Sequence, residues 1–207
     1  MSNDAYKQKQ LLSLPEDVSS WQEIGRGAEA VVVRKGDLVC KTRIPKTYRA
    51  KELDNALRTK RTRKEAKILF ELTVPSPELV AFTEDAILMT YVSGKKLSDV
   101  FSAKHIPIVA KLIFDLHQRD VVHGDLTTAN MIEQPTDAIA LIDFGLAQHN
   151  ARIEDKAVDI HLFFQSVKSN HHSLYAVLRE QFFTFYVDSA VQERLRVVES
   201  RGRNKGK

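Results

Sequence analysis

The stretch Val121–Ala147, VVHGDLTTANMIEQPTDAIALIDFGLA, decides how the rest of this chain is read. Val121 and Val122 form a short apolar run that stops at His123-Gly124-Asp125. Leu126 to Asn130 reads as a loop, and Met131-Ile132 as a short strand. Gln134-Pro135-Thr136-Asp137 is a turn signal. Ala138 to Ile142 is a second apolar strand, with Asp143 at its end. Two brief strands around a tight turn make a hairpin-like unit. The loop before the first strand and the loop after the second then lie at the same end. That brings Asp125, Asn130 and Asp143 together although they stand far apart in sequence.

Those three side chains suit a site that grips a nucleoside triphosphate through magnesium. Magnesium takes hard oxygen ligands, few from the protein and the rest from phosphates and water. Asp143 is expected to be the main metal ligand and Asn130 the second. Asp125 is expected to stay off the metal and to accept a proton from, or orient, the attacking hydroxyl. The plainer alternative makes Asp143-Phe144-Gly145 an ordinary strand exit and Asp125 a turn residue. Two motifs in this order and at this spacing weigh against it.

His-Gly-Asp-Leu-Thr-Thr-Ala-Asn followed by Ile-Asp-Phe-Gly-Leu-Ala resembles the catalytic and metal loops of the protein-kinase fold. More narrowly, it resembles the small atypical kinase subunit of the KEOPS (EKC) complex, the PRPK family. The resemblance implies an α+β, bilobal, protein-kinase-like fold. Its N-lobe, residues 1–92, would be an antiparallel sheet plus a helix. Its reduced helical C-lobe, residues 93–199, would lack a long activation segment, and a basic tail would occupy 200–207.

The N-terminal half carries further marks. Trp21 to Ile24 opens a strand, Gly25-Arg26-Gly27-Ala28-Glu29-Ala30 follows, and Val31 to Arg34 is the next strand. Glycines let backbone amides approach and cradle phosphates, although a plain hairpin turn reads the same way. Ala28-Glu29-Ala30 stands where ordinary kinases carry a later glycine. The Gly-Ala-Glu-Ala version is similar to the KEOPS kinases, so Gly25, Gly27, Ala28 and Glu29 are expected to cover the phosphates. Lys41, at the end of the strand Leu38–Lys41, stands in the place of the kinase strand lysine that holds the nucleotide phosphates. A solvated strand-end lysine is the alternative.

Arg43 to Leu72 is very basic and largely helix-forming, with partial periodicity at Leu53, Leu57, Ala66, Leu69 and Leu72. The cationic run Arg58 to Lys64 is a solvated helix face, a contact for RNA phosphates, or a dock for an acidic partner. Lys46-x-Tyr48-Arg49, Leu53-Asp54 and Arg61-Thr62 with Glu65-Ala66 are close to the KEOPS kinase pattern. That resemblance makes Glu65 the helix carboxylate that pairs with Lys41. Pro75-Ser76-Pro77 breaks the helix. Leu79–Phe82 and Ala86–Thr90 complete a five-stranded antiparallel sheet, and Tyr91 to Gly94 reads as a hinge. By the same resemblance Met89 lines the back of the adenine pocket, the backbone of Thr90 and Val92 meets the base, and Ile132 and Ile142 form its floor. Plain core packing is the alternative for all of these.

Leu97 to Phe101 starts a helix, and Ile108 to Arg119 is a stronger one with Ile108, Leu112, Ile113 and Leu116 on one stripe. Glu154 to Asp159 resembles the family's own segment, where Asp159 is expected to anchor the catalytic loop by accepting hydrogen bonds. Ile160–Phe164 and Leu174–Tyr186 read as two closing helices. His171-His172, with no third ligand in view, reads as a solvated turn. Glu199 to Lys207 is basic and is not expected to fold alone. A frayed end is the usual reading, while the resemblance sends this tail to a partner ATPase-like subunit. Thr127 stands where conventional protein kinases carry a lysine, and Gly124 where they carry an arginine that binds a phosphorylated activation segment. Slow turnover on peptides is therefore expected, with no dependence on activation-loop phosphorylation.

At 207 residues, with 43% hydrophobic and 28% charged residues, the chain can bury a proper core and has the composition of a soluble globular protein. No apolar run approaches the roughly 20 residues needed to span a bilayer, and Met1 to Gln10 holds no apolar signal core. The single cysteine, Cys40, excludes an internal disulfide and sits in an apolar run as a buried thiol. A net charge of +4 permits an acidic partner without demanding one.

The function that these readings support is a magnesium-dependent ATP phosphotransferase or ATPase, Ser/Thr protein-kinase-like, with ATP and Mg2+ as cofactors. From the resemblance come the complex, which supports threonylcarbamoyladenosine formation on tRNA, and its partners, the ATPase-like threonylcarbamoyl transferase subunit and the small regulatory subunit. The basic helix and tail add contact with tRNA. The expected location is cytoplasmic, with the nucleus also open, and no membrane partner. Two alternatives stand beside it. One is a catalytically weak scaffold or tRNA-binding module of the same complex. The other is a small-molecule kinase, against which the short basic C-terminal end argues.

Overall fold

The structure, a computed structural model, describes residues 3–11, 14–15 and 18–203. It divides into two compact units, residues 1–92 and 93–207.

The first unit is built on five antiparallel strands, β1 (Gln22–Arg26), β2 (Ala30–Lys35), β3 (Leu38–Arg43), β4 (Leu79–Phe82) and β5 (Ala86–Thr90). Their order is β1-β2-β3-β5-β4. The central strands β3 and β5 pair from Leu38↔Thr90 to Thr42↔Ala86. Trp21, Cys40, Ala81, Ala86 and Leu88 form a buried cluster in this unit. Burial pushes the Cys40 thiol pKa up, which suits a structural cysteine.

Two helices complete the unit, α1 (Asn3–Leu11) and α2 (Lys51–Glu71). Helix α2 begins later than the composition suggests. Arg43 closes β3, and Pro45 and the Lys46–Arg49 turn intervene. The apolar stripe also differs from the expected one, because Leu53 is 54% exposed. The buried face of α2 consists of Asp54, Thr62, Glu65, Ala66, Ile68 and Leu69. Half of that face is polar, so hydrophobic periodicity marks it poorly. Helix α1 is polar but anchored by Tyr6, which stacks on Phe82 at 5.1 Å, lies 5.4 Å from Phe70 and donates to the Arg63 carbonyl at 3.0 Å.

The second unit is mainly helical: α3 (Leu97–Val100), α4 (His105–His117), α5 (Ile153–Asn170), α6 (Tyr175–Phe185) and α7 (Ser189–Arg203). A small sheet, β6 (Lys95–Lys96), β7 (Met131–Glu133) and β8 (Ile139–Leu141), completes it. Helix α4 starts at His105, with Pro107 in its first turn, where a missing N–H costs nothing. Ile106, Val109, Leu112, Ile113 and Leu116 are its buried stripe, whereas Ile108 is 36% exposed and stands at the stripe's edge. Gly94, read as part of a hinge, has φ +146, and a side chain there would fall on the Glu133 carbonyl oxygen. Close packing on β7 explains this glycine.

Two further features depart from the sequence reading. Helix α5 runs the full length from Ile153 to Asn170 and is not confined to Ile160–Phe164. Helix α7 was not anticipated, and Glu199 to Arg203, expected to be unfolded tail, are its last turns. Among the described residues only Val191 and Leu195 bury fully there, so the apolar pattern is thin. Ion pairs supply the rest: Arg179–Glu199 at 2.6 Å and Arg201–Glu154 at 2.6 Å. Residues 204–207 of the expected tail lie outside the described residues. Among the described residues no helix is long and apolar enough to cross a membrane.

Candidate nucleotide and phosphotransfer site

In the first unit, Lys41 and Glu65 meet. Lys41 stands on β3 at 7% exposure, and its Nζ donates to Glu65 Oε1 on α2 at 2.7 Å. The other oxygen, Oε2, accepts from Arg43 at 2.6 Å. A strand's period of two puts Lys41 and Arg43 on the same face. That spacing was the signal in the sequence for Arg43, which the sequence reading passed over. Arg43 Nε also reaches the Thr62 hydroxyl at 3.2 Å.

Gly25, expected in the loop, lies within β1, and the loop that joins β1 to β2 is Gly27–Glu29, fastened at several points. Gly25 sits at an irregularity in the β1–β2 register, paired with Val32. The Gly27 N–H is occupied by the Ala30 carbonyl at 2.9 Å. Lys46 Nζ donates to the Ala28 carbonyl, and the Ile44 N–H to the Glu29 carbonyl at 2.9 Å. The Glu29 carboxylate accepts from Arg61 on α2 at 2.6 Å, which holds its pKa below the usual carboxylate range. Glu29 therefore brings a pinned carboxylate to this loop, while phosphates are anions. Any role it has in covering them runs through the loop's backbone and its tether to Arg61.

Met89 is buried in β5 opposite Val39. The Thr90 N–H donates to the Glu78 carbonyl at 3.0 Å, and the Thr90 hydroxyl oxygen accepts the Glu78 N–H at 2.9 Å. Of its backbone only the carbonyl remains for a base. Val92, half-buried, is the last residue of the first unit.

The second unit assembles the quoted stretch. Val122 and Gln148 exchange backbone bonds at 3.0 and 2.9 Å, closing the stretch at its two ends. Strands β7 and β8 pair in antiparallel register, Met131↔Leu141 to Glu133↔Ile139, around a turn in which Asp137 takes φ +59. The Ile142 N–H then donates to the Asn130 carbonyl at 3.0 Å, so the loops at Asn130 and Asp143 are neighbours. Asn130 Nδ2 donates to the Asp125 carboxylate and to its carbonyl, both at 2.9 Å. That turns the Asn130 amide oxygen away from Asp125. Asp143 adopts φ +63, and the Gly145 N–H approaches its Oδ1 at 3.4 Å. Ile132 is buried and Ile142 half-buried in this hairpin.

Helix α5 holds the loop that runs from His123 to Thr128. Asp159 accepts the His123 N–H at 2.6 Å and the Gly124 N–H at 2.8 Å. Ser166 on the same helix accepts the Thr128 N–H at 3.1 Å. His123 Nδ1 accepts the Asp125 N–H at 3.3 Å and its Nε2 meets the Ile142 carbonyl at 3.0 Å, which fixes the neutral Nε2–H tautomer. The imidazole thus stitches the Asp125 loop to the residue before Asp143. Gly124 has φ +80, and a Cβ there would lie 2.5 Å from the Leu146 carbonyl oxygen. His117, from α4, links Asp159 at 3.3 Å to the Tyr186 hydroxyl at 2.8 Å. Burial pushes the His117 pKa down against the pull of Asp159. Sequence reasoning anticipated the role of Asp159 but not those of Ser166 and His117. Both lie on ordinary amphipathic helices, where nothing local marks them.

Among the described residues no cluster of three or more His, Cys, Asp or Glu side chains gathers to cage a metal. The donors at hand are two exposed carboxylates, Asp125 and Asp143, and one amide oxygen. A sparse all-oxygen set fits magnesium, which keeps water and phosphate in its shell, and does not fit zinc.

Residues 40–175 match the RIO domain family model. A probable serine/threonine-protein kinase Bud32 homolog from Archaeoglobus fulgidus is 38% identical over 86% of this chain and 93% of its own length. The EKC/KEOPS complex subunit Bud32 of Encephalitozoon cuniculi is 35% identical over 87% and 94%. A probable bifunctional tRNA threonylcarbamoyladenosine biosynthesis protein of Methanoculleus marisnigri is 37% identical, but the chain spans only 35% of it. Among solved structures, WbdD in complex with the kinase inhibitor LY294002 superposes with a TM-score of 0.56 at 20% identity, over 83% of this chain and 44% of that one. At that identity the likeness concerns the kinase-like fold alone.

Proposed function

Because this chain belongs to the Bud32 family of RIO-domain, kinase-like proteins, we propose that it is an ATP-consuming subunit of a KEOPS-type complex serving tRNA threonylcarbamoyladenosine formation. It acts as a Ser/Thr protein-kinase-like phosphotransferase or ATPase with Mg-ATP. The complex and the process are those named for its relatives, including proteins of which it spans about a third.

The observation that carries the chemistry is the buried ion pair of Lys41 with Glu65 at 2.7 Å. Desolvating two charges is costly, and well-packed apolar residues would stabilise a sheet and helix at least as well. A lysine oriented by a carboxylate is what a phosphate needs, and Lys41 is assigned to the nucleotide phosphates. Asn130 and Asp143 would hold magnesium, which when bound neutralises phosphate charge and polarises the transferred group. Asp125, positioned by Asn130, takes the proton of the attacking hydroxyl or water. Contact with tRNA and with the transferase and regulatory subunits forms part of the same reading.

The test is Asp143→Ala in the full chain. ATP turnover should vanish while the circular dichroism spectrum stays native. Unchanged turnover would remove Asp143 from the metal site. A second reading, a platform with dispensable chemistry, is favoured by Thr127, which puts a hydroxyl where a lysine would stabilise the transferring phosphate. A folded Asp125→Ala protein that restores normal tRNA modification in cells would establish that reading.

A further inference from the structure

We propose that Arg43 is a positioning residue that keeps Glu65 in place while Lys41 serves the nucleotide, an inference that rests on the phosphate role assigned to Lys41 above. Glu65 is 2% exposed and both its oxygens are taken, one by Lys41 at 2.7 Å and one by Arg43 at 2.6 Å. Arg43, 5% exposed, also holds the Thr62 hydroxyl at 3.2 Å. Thr62 and Glu65 are spaced i, i+3, so one guanidinium grips two points on one face of α2. Its remaining terminal nitrogen lies 3.9 Å from Glu29 in the loop between β1 and β2.

Two consequences follow from this wiring. A carboxylate held by one lysine keeps torsional freedom, whereas cations on both oxygens fix its plane. More importantly, a Lys41 that turns to a phosphate would leave Glu65 buried with its charge uncompensated. That penalty is what makes single-partner loss at buried pairs so destabilising. Arg43 stays behind as the second counter-charge, so Lys41 can move without stranding Glu65. The phosphate lysine is thus aligned by an arginine two residues along the same strand, with no activating modification needed to bring α2 into place.

The experiment compares Arg43→Met, Arg43→Lys and Thr62→Val in the full chain. Arg43→Met should lower kcat for ATP by about tenfold, with KM for ATP changed by less than about threefold, because alignment and not ground-state binding is lost. Arg43→Lys, which keeps a cation for Glu65, should recover most of that loss. Thr62→Val should fall in the same direction by a smaller factor. Hydrogen exchange at residues 61–66 should quicken in Arg43→Met and the denaturation midpoint should fall, both largely restored in Arg43→Lys. A folded Arg43→Met protein within about twofold of wild type in kcat would overturn the proposal, and so would a loss that Arg43→Lys does not recover. Should Arg43→Met fail to fold, an unchanged kcat in Thr62→Val would overturn it. A wild-type protein that neither binds nor hydrolyses ATP would defeat the nucleotide reading instead. Exchange at residues 61–66 would then decide alone, unaltered protection counting against Arg43.

Discussion

Asp159, on α5, accepts the backbone N–H of His123 at 2.6 Å, and by that bond a helix far along the chain fixes the loop that presents Asp125. Its second oxygen takes the next amide, Gly124, at 2.8 Å. Asp159 is 1% exposed, so these donors have no water to fall back on. Asp159→Asn keeps one acceptor oxygen and strands a donor. The expected cost is about 1–3 kcal/mol of stability for a buried unsatisfied group, measured by chemical denaturation. ATP turnover should fall as well, since the loop beside Asp125 must shift.

Two glycines with positive φ should respond differently to alanine. Gly36, φ +59, has nothing within 4 Å of a built Cβ, so Gly36→Ala meets only the left-handed backbone penalty of about 1–2 kcal/mol. Gly124 carries the same penalty and a collision with the Leu146 carbonyl as well. Gly124→Ala should therefore destabilise more than Gly36→Ala in parallel thermal melts, and only Gly124→Ala should also depress ATP turnover.

His117 gives the fold a pH dependence of definite sign. Burial holds its folded-state pKa below the ordinary 6.5, so the native protein keeps the ring neutral while the unfolded chain protonates. Stability from the neutral ring is complete above about 6.5 and is lost as pH falls through that value toward the folded one. Melting temperature should fall between pH 7.5 and pH 5.5. His117→Gln, which cannot titrate, should show a shallower decline over the same interval.

Glu133 predicts a second, more acidic limit. Lys104 at 2.7 Å, and then His105 at 3.0 Å, hold its carboxyl down to about 2. A depressed carboxyl contributes stability that is present above its unfolded pKa of about 4.5 and lost as pH falls toward 2. Glu133→Gln should remove that part of the acid transition and lower the melting temperature near neutrality, where the carboxylate's contribution is fully present.

Leu195 tests helix α7. It is 1% exposed and, with Val191, one of the two fully buried anchors among the described residues of that helix. Leu195→Ala should cost about 2–5 kcal/mol by denaturant titration, as core leucines do. A near-neutral effect would mean that α7 adds little to the fold.

How much of this was written in the sequence differs from element to element. The five strands of the first sheet and the β7–β8 hairpin were legible because apolar runs alternate with turn chemistry, as at Gly36-Asp37 and Gln134–Asp137. The gathering of Asp125, Asn130 and Asp143 at one end of that hairpin followed from the same pattern. What escaped was the polar mortar. The inner face of α2 carries Asp54, Thr62 and Glu65, and these polar positions leave no hydrophobic trace. Helix α7 buries two apolar side chains and leans on Arg179, Glu199, Arg201 and Glu154, which look like ordinary surface residues. Ser166 and His117 act on the catalytic loop only through tertiary contact, so no local spacing announces them.

The bare α-carbon at position 124 has an evolutionary corollary. Kinases that answer to upstream signals read them with an arginine at the corresponding place. Here any side chain, arginine included, would drive into the peptide oxygen of Leu146. The chain cannot gain a phosphate sensor at that spot by a single substitution. The path from Phe144 to Ala147 would first have to be rebuilt, so the fold itself bars that mode of control.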